Sequence, residues 1–322
     1  MDILITEELD APAIQKLRAK YDVARDGVLW KDPVKLQQAL AGARAVMVRN
    51  QTRLTASLLA AAPNLLGIGR VGVGLDNIDV DAASKLGIVV IAPLDANATS
   101  VAELAFGFLL ALARKIPAAD RSTKAGGWDR KGCTGMEVDG KTLALCGFGR
   151  IGRKVALMAR AFGMATVVFD PFVKSDSPAL AETGSTLAPT LPEALARADF
   201  VSIHSPLTPE TRRMFNASAF AAMKKGAFLI NTSRGGVVDE AALLEALRSG
   251  HLGGAALDVR ETEPPAAKSG LEQLDNVILA PHVGAFTVEA QRRTMEAVAD
   301  DLDNLLSGRP AKNCVNMARP KR

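Results

Sequence analysis

Two rhythms of apolar residues alternate along the first third of the chain. Short, mostly apolar stretches lie near 2–5, 21–24, 45–48, 66–69 and 88–91 and predict strands. Between them, near 11–19, 33–40, 54–61 and 79–86, apolar positions recur every three or four residues and predict amphipathic helices. Strand and helix in alternation predict a parallel sheet covered on both faces. From about Ser100 to Ala118 a helical pattern is apolar on most faces, which predicts a helix buried between two domains, with Ile116-Pro117 as its end. A second series starts at Lys141, with strands near 142–146, 165–169, 199–203, 226–231, 253–258 and 276–280, enough for a complete doubly wound sheet. A long amphipathic helix, about Val288 to Leu306, is left over by that second series and is expected to return to the N-terminal half. The expected class is α/β with two domains, one discontinuous over 1–97 and 288–322 and the other over 98–287.

The strand Thr142–Cys146 runs into Gly147-Phe148-Gly149-Arg150-Ile151-Gly152, and a helical run follows. Gly147 suits the tight turn, Gly149 lets the backbone approach a pyrophosphate, and Gly152 lets helix and strand pack closely. The next strand delivers Asp170, eighteen residues beyond Gly152. A carboxylate there suits a ribose 2′-hydroxyl and repels a 2′-phosphate, so NAD is expected rather than NADP.

Composition narrows the class. Hydrophobic residues make up 48% and charged residues 23%, as in ordinary globular domains. The net charge is +4 and the basic residues are scattered apart from the terminal Arg319-Pro320-Lys321-Arg322, so no nucleic-acid partner is expected. The longest apolar tract, Leu104–Ala113, is too short to span a bilayer, so no membrane partner is expected either. Three cysteines without C-x-x-C spacing suggest neither zinc nor a disulfide framework, and the N-terminus carries no signal-peptide pattern; the expectation is a metal-free, cytoplasmic protein.

Candidate chemistry gathers at strand ends. Among the three histidines, His251 reads as a residue at a helix C-terminus, suited to the dipole there. His204 and His282 each follow a strand, and Gly284 beside His282 leaves room for a ligand, making His282 the better acid or base. Arg234, after another strand, presents a fork of donors suited to a carboxylate. Glu263 is placed to pair with His282, fixing its tautomer and favouring its protonated form. The loop Gly69-Arg70-Val71-Gly72-Val73-Gly74 follows a strand, and its free amides offer an anion site or, equally, mark a tight connection.

Taken together, GRVGVGLDNID (69–79), SVAEL (100–104), the glycine turn, NTSRGGVVDE (231–240), GAALDVRETEPP (254–265) and PHVG (281–284) resemble the D-isomer-specific 2-hydroxyacid dehydrogenases over nearly the whole chain. Among that family's members the likeness is greatest to phosphoglycerate dehydrogenases and to hydroxypyruvate or glyoxylate reductases. The resemblance implies a Rossmann NAD domain inserted into a smaller flavodoxin-like substrate domain, and a homodimer. It implies interconversion of a small D-2-hydroxy acid and its 2-keto acid, with Arg234 on the substrate carboxylate, His282 as acid/base and Glu263 tuning it. Cofactor contacts are implied at Arg150, Ile151, Asp170, His204, Ser205, Pro206, Thr232, Ser233, Asp258 and Gly284 besides the three glycines, with Asp258 on the nicotinamide carboxamide. Substrate contacts are implied at Arg49, at the amides of Val71 and Gly72, and at Val73. The same family includes NAD-sensing transcriptional corepressors, an alternative of another class. Two departures stand out: Phe286, where a small hydroxyl residue is common, and Arg260, where an aromatic residue is usual.

Overall fold

The computed structural model describes residues 1–321. Its strands are β1 (Ile3–Ile5), β2 (Val23–Arg25), β3 (Ala45–Val48), β4 (Gly67–Arg70), β5 (Val89–Ile91), β6 (Thr142–Cys146), β7 (Ala165–Phe169), β8 (Thr186–Leu187), β9 (Phe200–Ile203), β10 (Phe228–Asn231), β11 (Gly254–Leu257) and β12 (Val277–Leu279). Its helices are α1 (Pro12–Arg18), α2 (Pro33–Ala41), α3 (Ala56–Ala60), α4 (Val80–Lys85), α5 (Ala98–Ala113), α6 (Ile116–Lys124), α7 (Arg150–Ala161), α8 (Pro178–Thr183), α9 (Leu191–Arg197), α10 (Ala217–Ala222), α11 (Glu240–Arg248) and α12 (Val288–Leu306). The chain forms two compact units, Met1–Asn97 with the chain from Ala285 onward, and Ala98–Gly284.

In the first unit five parallel strands run in the order β2-β1-β3-β4-β5, the flavodoxin-like doubly wound arrangement. Every residue of β1, β3, β4 and β5 is buried, which is why β1, β3 and β5 read as apolar runs rather than alternating ones; β4 is Gly-Ile-Gly-Arg and buries its arginine too. Helix α12 covers one face, with Val298, Leu302 and Leu305 against β4. It can lie that close because β4 carries Gly67 and Gly69: a Cβ on Gly69 would stand 2.6 Å from Val298 Cγ1. Asp301, only 1% exposed, accepts the N–H groups of Lys312 and Asn313 and the Asn313 side-chain amide, and so fixes the segment after the helix.

The second unit holds seven parallel strands in the order β12-β11-β10-β9-β6-β7-β8. Counted from β6 outward this is the Rossmann order with one added edge strand. Two differences from the sequence reading have physical causes. Strand β8 was not expected; it is two residues long, half exposed and paired only to β7, too short to carry an apolar pattern. Ile116-Pro117 does not end a helix but begins α6: the chain breaks at Lys115, which takes a left-handed φ of 50°, and Pro117 sits in the first turn, where its missing N–H is not needed. Helix α5, expected between two domains, buries Phe106, Phe108, Leu109 and Leu112 in one core with Leu143 and Leu145 of β6, Ile230 of β10 and Ala256 of β11.

The contact at Gly69 makes a stability prediction. Gly69→Val should lower the free energy of unfolding by about 1–3 kcal/mol through overpacking. A urea midpoint equal to that of the native chain would show that α12 and β4 do not meet there.

Candidate active site

All seven strands of the second unit point the same way, so the loops at their carboxyl ends share one edge of the sheet. On that edge lies the glycine turn. Gly147 has φ 103°, and a Cβ on it would stand 2.7 Å from the His204 carbonyl carbon, so no larger residue fits. At Gly152 a Cβ would meet the Gly147 carbonyl oxygen at 2.3 Å. These two glycines are demanded by the protein itself. Gly149 is different: its φ of −75° is open to any residue, and a Cβ there meets nothing within 4 Å. It caps α7, whose first residues are Arg150 and Ile151.

Asp170 follows β7 and folds back on the turn, accepting the Phe148 N–H at Oδ2 (2.8 Å) and the Phe172 N–H at Oδ1 (2.9 Å). Next along the edge, after β9, come His204, Ser205 and the exposed Pro206. His204 Nε2 lies 3.0 Å from Ser202 Oγ, and burial of the ring pushes its pKa down to about 4. A neutral imidazole is thus built in at this position. His251 lies beyond α11, its Nε2 2.9 Å from the Phe220 carbonyl.

After β10, buried Asn231 organises the turn that carries Arg234: its Oδ1 accepts the Ser233 N–H and hydroxyl, and its amide donates to the Arg234 carbonyl (3.0 Å). After β11, Asp258 is 1% exposed and does the same for the turn that carries His282. The Asp258 main-chain oxygen accepts the His282 N–H (2.7 Å), and its carboxylate accepts those of Val283 (2.7 Å) and Gly284 (2.8 Å). His282 itself takes φ 56°, a left-handed conformation that costs a non-glycine residue about 1 kcal/mol or more and persists because these bonds fix both sides of it.

The His282 Nδ1 lies 2.6 Å from Glu263 Oε2, and Glu263 Oε1 accepts the Arg260 N–H (3.0 Å). Burial pushes the Glu263 pKa up, but the bond from His282, the Arg260 N–H and the charges of His282 and Arg234 together hold it below the ordinary glutamate value. Arg234, Glu263 and His282 therefore share one electrostatic site. With Glu263 ionised, Nδ1 carries the proton of the neutral ring, which leaves Nε2 for chemistry.

In the first unit, Arg49 follows β3. Its guanidinium lies 4.3 Å from the Phe286 ring centre and donates to Gln291 Oε1 (2.6 Å). Desolvation lowers its pKa, with the charge of Glu7 opposing. The sequence reading missed Glu7, which is buried and accepts the N–H groups of Arg49, Asn50, Gln51 and Thr52. A clue was available, since Glu7 stands at the carboxyl end of β1.

The expectation of free amides in the loop after β4 needs correction. Val71 donates to the Val48 carbonyl (2.8 Å) and Gly72 to that of Arg70 (2.9 Å), because the loop continues the strand pairing for one residue and then turns tightly. The Val73 amide makes no such bond among the described residues. Buried Arg70, also missed, holds the loop through the carbonyls of Val71 and Gly74.

With this geometry in hand, comparison with known proteins decides the family. A model of the D-isomer specific 2-hydroxyacid dehydrogenase, NAD binding domain, matches residues 106–284. The chain belongs to the D-isomer specific 2-hydroxyacid dehydrogenase family. The matched stretch holds the glycine turn, Asp170, Arg234, Asp258, Glu263 and His282, and NAD is the cofactor of this domain. The D-3-phosphoglycerate dehydrogenase of Methanocaldococcus jannaschii is 44% identical over 316 residues, covering 98% of this chain but 59% of that protein. The chain thus spans about three fifths of the length of that relative. Among solved structures, a Thermus thermophilus protein superposes with a TM-score of 0.89 at 36% identity, covering 98% of this chain and all of that one. D-lactate dehydrogenase from Aquifex aeolicus, solved with NAD and lactic acid, superposes with a TM-score of 0.85 at 31% identity, covering 96% of each chain.

The residues present fit a dinucleotide. Open space at Gly149 in front of a helix N-terminus suits a pyrophosphate. Nearby on the same edge, His204 Nδ1, Ser205 Oγ and Thr232 Oγ1 are buried and make no hydrogen bond among the described residues, a costly state unless a ligand completes them. This separates two glycines experimentally. Gly149→Ala should leave the unfolding midpoint unchanged and weaken NADH binding about tenfold or more, whereas Gly147→Ala should lower stability. A Gly149→Ala protein that binds NADH as tightly as native would show that no phosphate approaches this turn.

Proposed function

We propose that this chain is an NAD-dependent oxidoreductase that interconverts a small D-2-hydroxy acid and its 2-keto acid. The observation that carries the reading is the 2.6 Å contact between His282 and Glu263, with Arg234 acting on the same carboxylate, at the carboxyl edge of a Rossmann-ordered sheet. The region Ala98–Gly284 would be the cofactor domain and the rest the substrate domain. Gly147, Gly149, Arg150, Ile151 and Gly152 would hold the pyrophosphate, and Asp170 the adenosine ribose. His204, Ser205, Pro206, Thr232, Ser233, Asp258 and Gly284 would complete the cofactor site. Asp258 keeps lone pairs for a carboxamide after serving Val283 and Gly284.

When bound, NAD would supply the acceptor for a hydride from the substrate C2, and NADH the donor for the reverse. Arg234 fixes the substrate carboxylate through its planar fork, which orients C2. His282 Nε2 gives a proton to the keto oxygen in reduction and takes it from the hydroxyl in oxidation. Glu263 stabilises the imidazolium that reduction starts from and oxidation produces. Arg49, with Val71, Gly72 and Val73 beside it, supplies a cation for an anionic substrate group.

The likeness to the archaeal D-3-phosphoglycerate dehydrogenase supports 3-phosphoglycerate as substrate. One observation favours glyoxylate or hydroxypyruvate reduction instead: the Phe286 ring lies 4.3 Å from the Arg49 guanidinium and would leave less of that cation open to a phosphate. Turnover of a panel of 2-keto acids with NADH and with NADPH separates these readings, and NADH should be preferred. Glu263→Gln keeps shape and removes charge, so it should lower reductive kcat/KM about tenfold or more. The high-pH limb of reduction and the low-pH limb of oxidation should both move to lower pH, because the carboxylate no longer favours the protonated ring. Limbs that stay in place would remove Glu263 from this role.

The assembly we infer is a homodimer through the face of α5 to α7. Ile116, Trp128, Met136, Leu157 and Phe162 are all exposed there, more apolar surface than an isolated chain usually leaves in water. Light scattering should give twice the chain mass at micromolar concentration; a monomer mass would refute it. Three unpaired cysteines support a reducing, cytoplasmic location.

A further inference from the structure

The loop that carries Glu263 is held by polar contacts alone, among them an ion pair from Arg213 to Glu261 (2.8 Å). Residues 261–269 are all exposed, so apolar packing does not fix the carboxylate against His282. The preceding residue is Arg260, whose side chain is only 10% exposed. Its Nε and Nη2 grip Glu240 at the start of α11 (3.0 and 2.8 Å), Nη1 donates to Glu272 (2.9 Å), and Nη2 also donates to Ser269 Oγ (2.9 Å). Four of its roughly five donors are thus spent on three fixed partners.

The same network reaches the backbone on both sides of Glu263. Glu240 also accepts the Glu261 N–H (2.7 Å), and Glu272 accepts those of Ser269 and Gly270 (3.0 and 3.1 Å). The Arg260 N–H donates directly to the Glu263 carboxylate (3.0 Å). The Arg260 carbonyl presses on Gly235, where a Cβ would lie 1.9 Å away, next to Arg234.

We propose that Arg260 is a positioning residue, a guanidinium clamp that replaces missing apolar packing and holds Glu263 against His282. The proposal rests on the reading above that Glu263 and His282 form the acid/base pair. An aromatic residue in this place would hold the loop by burial; here the work passes to a bidentate ion pair and a second carboxylate, which lysine could not reproduce. Glu272 is held well below the ordinary carboxylate range, at about 2: burial opposes this, and its bonds to backbone N–H groups and to Arg260 outweigh it. The sign follows: a depressed carboxylate keeps its contribution above its unfolded value of about 4.3 and loses it only as pH falls toward 2. Glu272 therefore stays charged at neutral pH and above, and a pH effect of an Arg260 variant there reports on what faces Glu263, namely His282, Arg234 and the Arg260 amide.

The test compares Arg260→Met, Arg260→Lys and Glu272→Gln with Glu263→Gln. Arg260→Met should lower kcat for 2-keto acid reduction about tenfold and leave NADH affinity unchanged. It should also move the high-pH limb of the profile to lower pH, and add little when combined with Glu263→Gln. Arg260→Lys should recover only part of the loss. If Arg260→Met does not fold, Glu272→Gln at the rim of the cluster should give the same pattern more weakly. Native turnover with variants that keep their pH profile, or whose losses add to that of Glu263→Gln, overturns the proposal. Absence of native turnover with any 2-keto acid would instead overturn the reading of function. The clamp is then decided by a carboxyl NMR titration, in which Arg260→Met should raise the Glu263 pKa and an unmoved value counts against it.

Discussion

Two buried polar residues at neighbouring strand ends hold the site together. Asn231 closes β10 and Asp258 follows β11; the Asp258 N–H donates to the Asn231 carbonyl (2.9 Å), so the two are joined by the sheet itself. From there each reaches into its own turn, Asn231 to Ser233 and Arg234, Asp258 to His282, Val283 and Gly284. Buried polar groups are expensive unless fully paired, and once paired they specify one geometry more sharply than apolar contacts do. Removing the Asp258 carboxylate would leave the amides of Val283 and Gly284 without their acceptor and His282 without the support for its left-handed backbone.

Glu263 is held on the opposite principle. It stands on an exposed loop, where surface ion pairs are ordinarily weak because water screens them and side-chain entropy opposes them. Two features make the case different here. The Arg260–Glu240 pair is bidentate and mostly shielded, and the carboxylates it engages also accept backbone N–H groups, so ordering one side chain orders a stretch of main chain. The His282–Glu263 contact is thus supported from the sheet on the histidine side and by a charged network on the glutamate side.

Much of this was legible in the sequence. Buried parallel strands leave mostly apolar runs, and glycine turns and residues after strands fall on one edge by topology, so the placement of Arg234, Glu263 and His282 near one another could be read from the sequence. The two-domain α/β class was legible for the same reason. What was not legible depends on partners far away in sequence. Glu7 receives its meaning from amides some forty residues later, and Arg260 from Glu240 and Glu272. The amides of Val71 and Gly72 looked available because a loop pattern does not say which carbonyl lies opposite. The Lys115 break between α5 and α6 was hidden because its left-handed φ sits on a residue type that rarely takes one.

Arg49 extends the argument from structure to selectivity. Its guanidinium is desolvated, stacked on Phe286 and bonded to a neutral amide oxygen, and among the described residues it forms no ion pair. A cation placed so is partly compensated by the ring quadrupole but keeps an unspent attraction for an anion, and it is stiff, because Glu7 fixes its backbone and two side chains fix its head. Stiffness raises affinity for an anion that fits and lowers tolerance for one that does not. A flexible arginine at this place would accept substrates of several lengths. One pinned under an aromatic ring, as Arg49 is under Phe286, favours anions that reach its exposed edge, and under the proposed function that bears on the choice of 2-hydroxy acid rather than on hydride transfer.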